Sequence, residues 1–233
     1  MKLLKVLGVP ALAVCVLFTT GCSSMTNTGK GAAIGGGGGA ALGAGLGALI
    51  GGGKGAAIGT AIGAAVGTGA GVLIGKKMDK QQAELQEELK KQAEVEKVTD
   101  TNGLQAIKVT FNGGILFPTN GTTLSSSAKT DLTKFAASLM NNPQTNVQIY
   151  GFTDDTGTLA VNERVATGRA DAVRNYLLNS GVAATRLSAE GLPMQDYVAS
   201  NNTAEGRAQN RRVEIYITAN QEMINAANNG TLQ

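Results

Sequence analysis

Histidine and tryptophan are absent from all 233 residues. Without histidine the chain has neither the commonest general base at neutral pH nor the commonest transition-metal ligand. A nucleophilic serine has no G-x-S-x-G elbow to sit on either, so hydrolysis by a serine triad is excluded. Cysteine is nearly missing, with only Cys15 and Cys22, too few for a disulfide framework. An excess of one charge is also lacking. Lys and Arg number 20 against 17 Asp and Glu, and Lys2 and Lys5 stand at the extreme N-terminus. Between positions 100 and 214 there are ten basic and ten acidic residues, which is not the electrostatic footprint of a nucleic-acid binder. No cofactor motif survives inspection. Gly43-x-Gly45-x-x-Ala48 loosely matches a dinucleotide fingerprint, but no strand precedes it.

Lys2 and Lys5 form a charged leader, followed by an apolar stretch from Val6 to Phe18, the pattern of a secretory signal. Thr19-Thr20-Gly21-Cys22 closes it. Small residues before a cysteine at this distance resemble the lipobox of bacterial lipoproteins, although the family prefers Leu where Thr19 stands. The resemblance implies cleavage after residue 21 and acylation of Cys22, palmitate included. It also implies sorting to the outer membrane, because no Asp follows the cysteine. Loss of Cys15 with the signal would leave Cys22 without an intramolecular partner in an oxidising compartment.

After a linker at 22–28 comes the most regular feature of the chain. Glycine occupies every fourth position from Gly31 to Gly75 without a gap, and 20 of the 33 glycines lie between Gly29 and Gly75. Residues 29–52 and 53–76 align with sixteen identities. On a helix a period of four lays the glycines along one face, where they let two backbones approach closely. Each unit of about 23 residues would be ~34 Å long, enough to cross a bilayer core. The expectation over 29–75 is a transmembrane helical hairpin with arms at 31–52 and 55–75 and a turn at Gly53-Lys54. It resembles the glycine-zipper two-helix domain of envelope lipoproteins.

Residues 76–98 turn polar and rich in helix formers, with Leu85 and Leu89 one turn apart and a supportive Glu87/Lys91 pair. They predict a solvated stalk helix. A globular domain is expected over 99–218, followed by a tail at 219–233. Alternating Ile107, Val109 and Phe111, then Val147 and Ile149, then Val213, Ile215 and Ile217 read as half-buried strands. A shorter strand is expected at 187–190. Helical periodicity runs over 125–141 and 161–180, the second closed by Ser180-Gly181. Strands alternating with helices indicate a two-layer α/β sandwich.

Four motifs carry a resemblance: GFTDDTG at 151–157, Asn162, the run Gly168-Arg169-Ala170-Asp171-Ala172-Val173, and NRRVEI at 210–215. They are similar to the OmpA-like C-terminal domain, which includes the peptidoglycan-associated lipoproteins. With its lipobox and glycine zipper, the chain most resembles the YiaD-type lipoproteins. The resemblance implies a mixed sheet with two main helices and a site for the diaminopimelate of peptidoglycan stem peptides. Carried over, Asp154 and Arg169 are the principal ligands, supported by Thr153, Asn162, Arg211 and Arg212. Two departures stand out. Val165-Ala166 replaces the family's Leu-Ser, and Gly191-Leu192-Pro193 replaces its Gly-x-Gly.

The chemistry agrees with that implication. Diaminopimelate offers an ammonium and a carboxylate on one carbon, which a carboxylate and a guanidinium can take together. Asn162 and Arg169 are two helical turns apart and share a face, while alternation turns one of Arg211 and Arg212 outward and the other inward as a buttress. Asp154 and Arg169 are expected to be exposed in the free protein. The expected function is an outer-membrane lipoprotein tethering that membrane to the wall without catalysis. Two alternatives remain open. The zipper could build an oligomeric channel or assembly factor, and Asp154, Asp155 and Glu163 could supply the carboxylate pair of a muramidase.

Overall fold

The computed structural model describes residues 68–118 and 121–233. The signal peptide, Cys22, the first zipper arm and most of the second lie outside the described residues. Six helices are present among those described: α1 (Thr68–Glu88), α2 (Gly113–Leu116), α3 (Ser126–Asn141), α4 (Leu159–Asn179), α5 (Ala204–Asn210) and α6 (Gln221–Asn228). Five strands accompany them: β1 (Ala93–Thr99), β2 (Gln105–Asn112), β3 (Thr145–Phe152), β4 (Leu187–Leu192) and β5 (Arg212–Ala219).

The alternating apolar residues fall on strands as expected. Ile107, Val109 and Phe111 on β2, Val147 and Ile149 on β3, and Val213, Ile215 and Ile217 on β5 are all fully buried. The sheet order is β1-β2-β5-β3-β4, with β3 and β4 parallel and every other neighbouring pair antiparallel. Strand β5, last in sequence, therefore sits centrally, and β2 and β3 run parallel on either side of it. Helices α3 and α4 make the two crossovers. Ser125 caps α3 by accepting from the Ala128 N–H, and Thr158 caps α4 by accepting from Val161. Gly181, at φ +102°, ends α4, and the Val182 N–H returns to the Leu177 carbonyl at 3.1 Å. Leu132, Phe135, Ala136 and Leu139 of α3 and Ala166, Ala170, Val173 and Leu177 of α4 pack onto the sheet, as their spacing predicts. Helices on a mixed sheet make the expected two-layer α/β sandwich.

Three expectations need correction. The predicted stalk helix over 76–98 is neither a stalk nor wholly a helix. Helix α1 ends at Glu88, and residues 93–99 form edge strand β1, paired with β2 in the register Val95 to Val109. Tertiary pairing overrides the helix-forming local composition, as it commonly does for strands. The turn between β1 and β2 is built by Asp100, whose Oδ1 accepts from the N–H groups of Asn102 and Leu104 at 2.8 Å each, with Gly103 at φ +75°. Helix α1 is also not solvated. Ile74, Met78 and Leu85, with Leu89 just past its end, are fully buried in the common core, a stripe that a division at residue 75 cuts in two.

The second correction concerns the zipper. Its last residues, 68–75, continue unbroken into α1, where Ile74 packs in the core. Among the described residues no helix is long and apolar enough to cross a membrane. Third, the tail is not a tail. Residues 221–228 form α6, whose Met223, Ile224 and Ala227 are buried in the core cluster with α1, and Lys77 Nζ donates to the Gln233 carbonyl at 2.6 Å.

If α1 belongs to the core, Leu85→Ala should lower the urea-unfolding free energy by about 2–5 kcal/mol. A solvated stalk would change it by less than about 0.5 kcal/mol.

Candidate functional site

The GFTDDTG motif spans the end of β3 and the loop beyond it. Gly151 has a structural reason: a Cβ there would stand 2.3 Å from the Ala166 carbonyl oxygen. Only glycine lets α4 come this close to β3, and that approach lays the first half of α4 over the loop carrying Asp154. The buried stripe of α4 is accordingly polar at this end. Asn162 and Arg169 continue the line of Ala166, Ala170, Val173 and Leu177, as the seven-residue spacing predicts.

Asp154 is 5% exposed and Arg169 3%, which corrects the expectation that both stand free in solvent. Asp154 is already engaged. Its Oδ2 accepts from Arg211 Nη1 at 2.5 Å, and its Oδ1 accepts from the Thr156 N–H at 2.9 Å. Burial alone would raise its carboxyl. The Thr156 N–H and the Arg211 guanidinium more than offset this, and the group is held below its ordinary value. Asn162 Nδ2 donates to the carbonyls of Thr156 and Thr158 at 2.9 and 3.1 Å, which fixes the loop. Thr153 is buried, and its Oγ1 accepts from the Met194 N–H at 3.1 Å.

Arg169 is different. Its Nε donates to the Gly121 carbonyl at 3.1 Å, and its guanidinium carbon lies 5.3 Å from the centre of the Phe117 ring. Its Nη1 is buried with no hydrogen-bond partner. Burial chiefly, and then the neighbouring Arg211 charge, lower its pKa, while Asp154 opposes them. Gly113 joins the two arginines: its N–H donates to the Arg211 carbonyl at 2.7 Å, and a Cβ on it would stand 3.6 Å from Arg169 Nη1. The site thus links Asp154 to Arg211, Arg211 to Gly113, and Gly113 and Phe117 to Arg169. Phe117 and Gly121 are not legible as site residues from spacing, because the loop that brings them to Arg169 has no periodic pattern.

Of the six candidate ligands, Arg212 does not join the group. It is 4% exposed in the side chain, donates from Nε to Glu214 Oε1 at 2.7 Å and from Nη2 to the Asp196 carbonyl at 2.9 Å, and lies 3.9 Å from the centre of the Phe152 ring. Arg211, with 40% of its side chain exposed, is the outward member of the pair and Arg212 the inward buttress.

Residues 116–211 match the profile of the OmpA family, and residues 1–79 that of the YMGG-like Gly-zipper. The chain is 37% identical to the probable lipoprotein YiaD of Escherichia coli K12 over 141 residues, 60% of this chain and 63% of that protein. It is 38% identical over 112 residues to the peptidoglycan-binding protein ArfA of Mycobacterium tuberculosis, 48% of this chain and 34% of that one. In each case the match spans less than two thirds of the relative's length. Among solved structures, the domain superposes on a putative MotB-like protein from Desulfovibrio vulgaris with a TM-score of 0.54 and 26% identity, covering 63% of this chain and 93% of that one. It also superposes on the cell wall anchor of the T6SS from Pseudomonas aeruginosa, with a TM-score of 0.51, 29% identity and coverage of 58% and 96%.

Within this domain, the two adjacent arginines should separate cleanly by stability. Arg212→Ala strands the buried Glu214 carboxylate and should cost about 3–5 kcal/mol in urea unfolding. Arg211→Ala, which removes a partly exposed guanidinium from Asp154 and leaves the Thr156 N–H in place, should cost about 1 kcal/mol. Equal costs would mean that both arginines are structural.

Proposed function

We propose that this domain binds peptidoglycan without covalent chemistry, taking the zwitterionic carbon of diaminopimelate between Asp154 and Arg169. The observation that carries the reading is the unpartnered, buried Nη1 of Arg169. A buried donor left unmade costs about 1–3 kcal/mol, a cost that an incoming carboxylate removes. Arg169 can offer such a group more than one N–H in a planar fork. Asp154 supplies the complement. An ionised carboxylate has roughly four acceptor positions; Arg211 and Thr156 take one each, leaving capacity for an ammonium. Arg211 then holds the carboxylate charged and in place, while Asn162 and Thr153 fix the loops around it. The names of two similar proteins, a peptidoglycan-binding protein and a cell wall anchor, support the same reading.

In the chain as a whole, acylated Cys22 and the glycine zipper would fasten the N-terminal side to the outer membrane, and the domain would grip the wall from the periplasm. The partners are peptidoglycan and outer-membrane lipid, and the product is a mechanical tether. Similarity to YiaD, itself named a probable lipoprotein, supports the anchor.

Co-sedimentation with purified sacculi tests the reading. Asp154→Asn keeps the shape and removes the charge, and Arg169→Lys keeps the charge and removes the fork. Each should weaken binding roughly 30-fold or more while circular dichroism shows a folded domain. Because Asp154 is held below its ordinary value, wild-type binding should persist as pH falls through the ordinary carboxylate range and weaken only below it. Normal binding by Asp154→Asn, or release of soluble muropeptides by the wild type, would contradict the proposal. The anchor has its own arm: Cys22→Ser should leave the outer-membrane fraction, and its retention there would count against acylation.

A further inference from the structure

The loop between β4 and α5 is tied down at three places and left open at one. At its start the Met194 N–H donates to Thr153 Oγ1 at 3.1 Å, which fastens the loop beside Asp154. In its middle the Asp196 carbonyl accepts from Arg212 Nη2 at 2.9 Å. Next the N–H groups of Val198 and Ala199 both donate to Asn210 Oδ1, at 2.8 and 3.0 Å. Met194 and Asp196 adopt positive φ angles of 52° and 51°, a backbone cost that these bonds hold in place. Tyr197 lies between the second and third ties. It is 41% exposed and is the one aromatic among the exposed large hydrophobic side chains of the described residues. Partial burial chiefly, with the Asp155 and then the Asp154 carboxylates, raises its hydroxyl pKa, in keeping with a ring close to the site. Its neighbours are clamped, and two fifths of its surface stays open to solvent.

An exposed aromatic on a rigid backbone loses little conformational freedom when a ligand meets it, which is why such rings serve as contact platforms. Beside a site that grips a peptide side chain, the nearby apolar surface of the wall polymer is the C–H face of its sugar rings. Where diaminopimelate is the third residue of the stem, two residues separate it from the glycan, a span of about 7–11 Å. We propose that Tyr197 is a saccharide platform, its ring stacking on a pyranose of the glycan strand while the stem peptide occupies the Asp154–Arg169 site. The platform rests on the wall-binding reading and makes the domain read peptide and sugar together. Its specificity therefore comes from the loop after β4, the segment where Pro193 replaces the glycine usual in the family.

Two soluble probes separate the platform from the underlying site: a diaminopimelate-containing stem peptide, and the same peptide carried on its disaccharide. Titrated against the intact chain in detergent, the disaccharide form should bind about 3- to 10-fold more tightly than the bare peptide. Tyr197→Ala should erase that gain and leave affinity for the bare peptide unchanged, and Tyr197→Phe should retain it. A gain that survives in Tyr197→Ala, or an equal loss for both probes, overturns the platform while leaving the peptide site standing. Failure of the wild type to bind either probe overturns the wall-binding reading, and the platform with it.

Discussion

The head of the central strand holds the functional end of the molecule together through three consecutive side chains. Asn210 reaches the loop after β4, receiving two N–H groups and donating to the Ala199 carbonyl at 2.8 Å. Arg211 reaches the loop after β3 and holds Asp154. Arg212 reaches along its own strand to Glu214 and back to Asp196. Because β5 lies between β2 and β3, one short segment can span to both loops. A change of register by one residue would exchange the roles of Arg211 and Arg212, releasing Asp154 and stranding Glu214. The register is itself set by Val213, Ile215 and Ile217 in the core, so the geometry of the site is inherited from apolar packing.

The arginines at this end illustrate how burial sorts equal charges into unequal tasks. Arg212 is matched: a carboxylate, a carbonyl and an aromatic face surround it, and Glu214 is further held by Tyr216, whose hydroxyl donates at 2.7 Å, and by Lys108 at 3.5 Å. Burial and the adjoining Glu214 push the Tyr216 hydroxyl far up. Arg211 is shared between solvent and Asp154. Arg169 is buried yet incompletely bonded. A folded chain ordinarily removes such a deficit. In the proposed function, that unmade bond is the one an incoming carboxylate would complete.

Much of this was legible in the sequence. Three of the five strands announced themselves by alternation, a shorter fourth was expected at 187–190, and α3 and α4 showed their apolar faces. Asp154, Asn162 and Arg169 were drawn together by motif and by helical spacing. What escaped depended on distant partners. Strand β1 has the composition of a helix, and only pairing with β2 makes it extended, although Asp100-Thr101-Asn102-Gly103 ahead of an apolar run is a hairpin signal. The core role of α1 was hidden because Ile74 and Met78 straddle the end of the glycine repeat. The burial of Asp154 and Arg169 was missed for a similar reason. Both are polar, and only the close approach of α4 at Gly151 encloses them.

The central claim is that Arg169 awaits a carboxylate and Asp154 an ammonium on the same carbon. Isothermal titration of two stem peptides, identical except that one carries diaminopimelate and the other lysine, addresses it directly. Lysine retains the ammonium and lacks only the carboxylate that Arg169 would take. The account predicts that the diaminopimelate peptide binds at least about 30-fold more tightly; equal affinity for the two would contradict it.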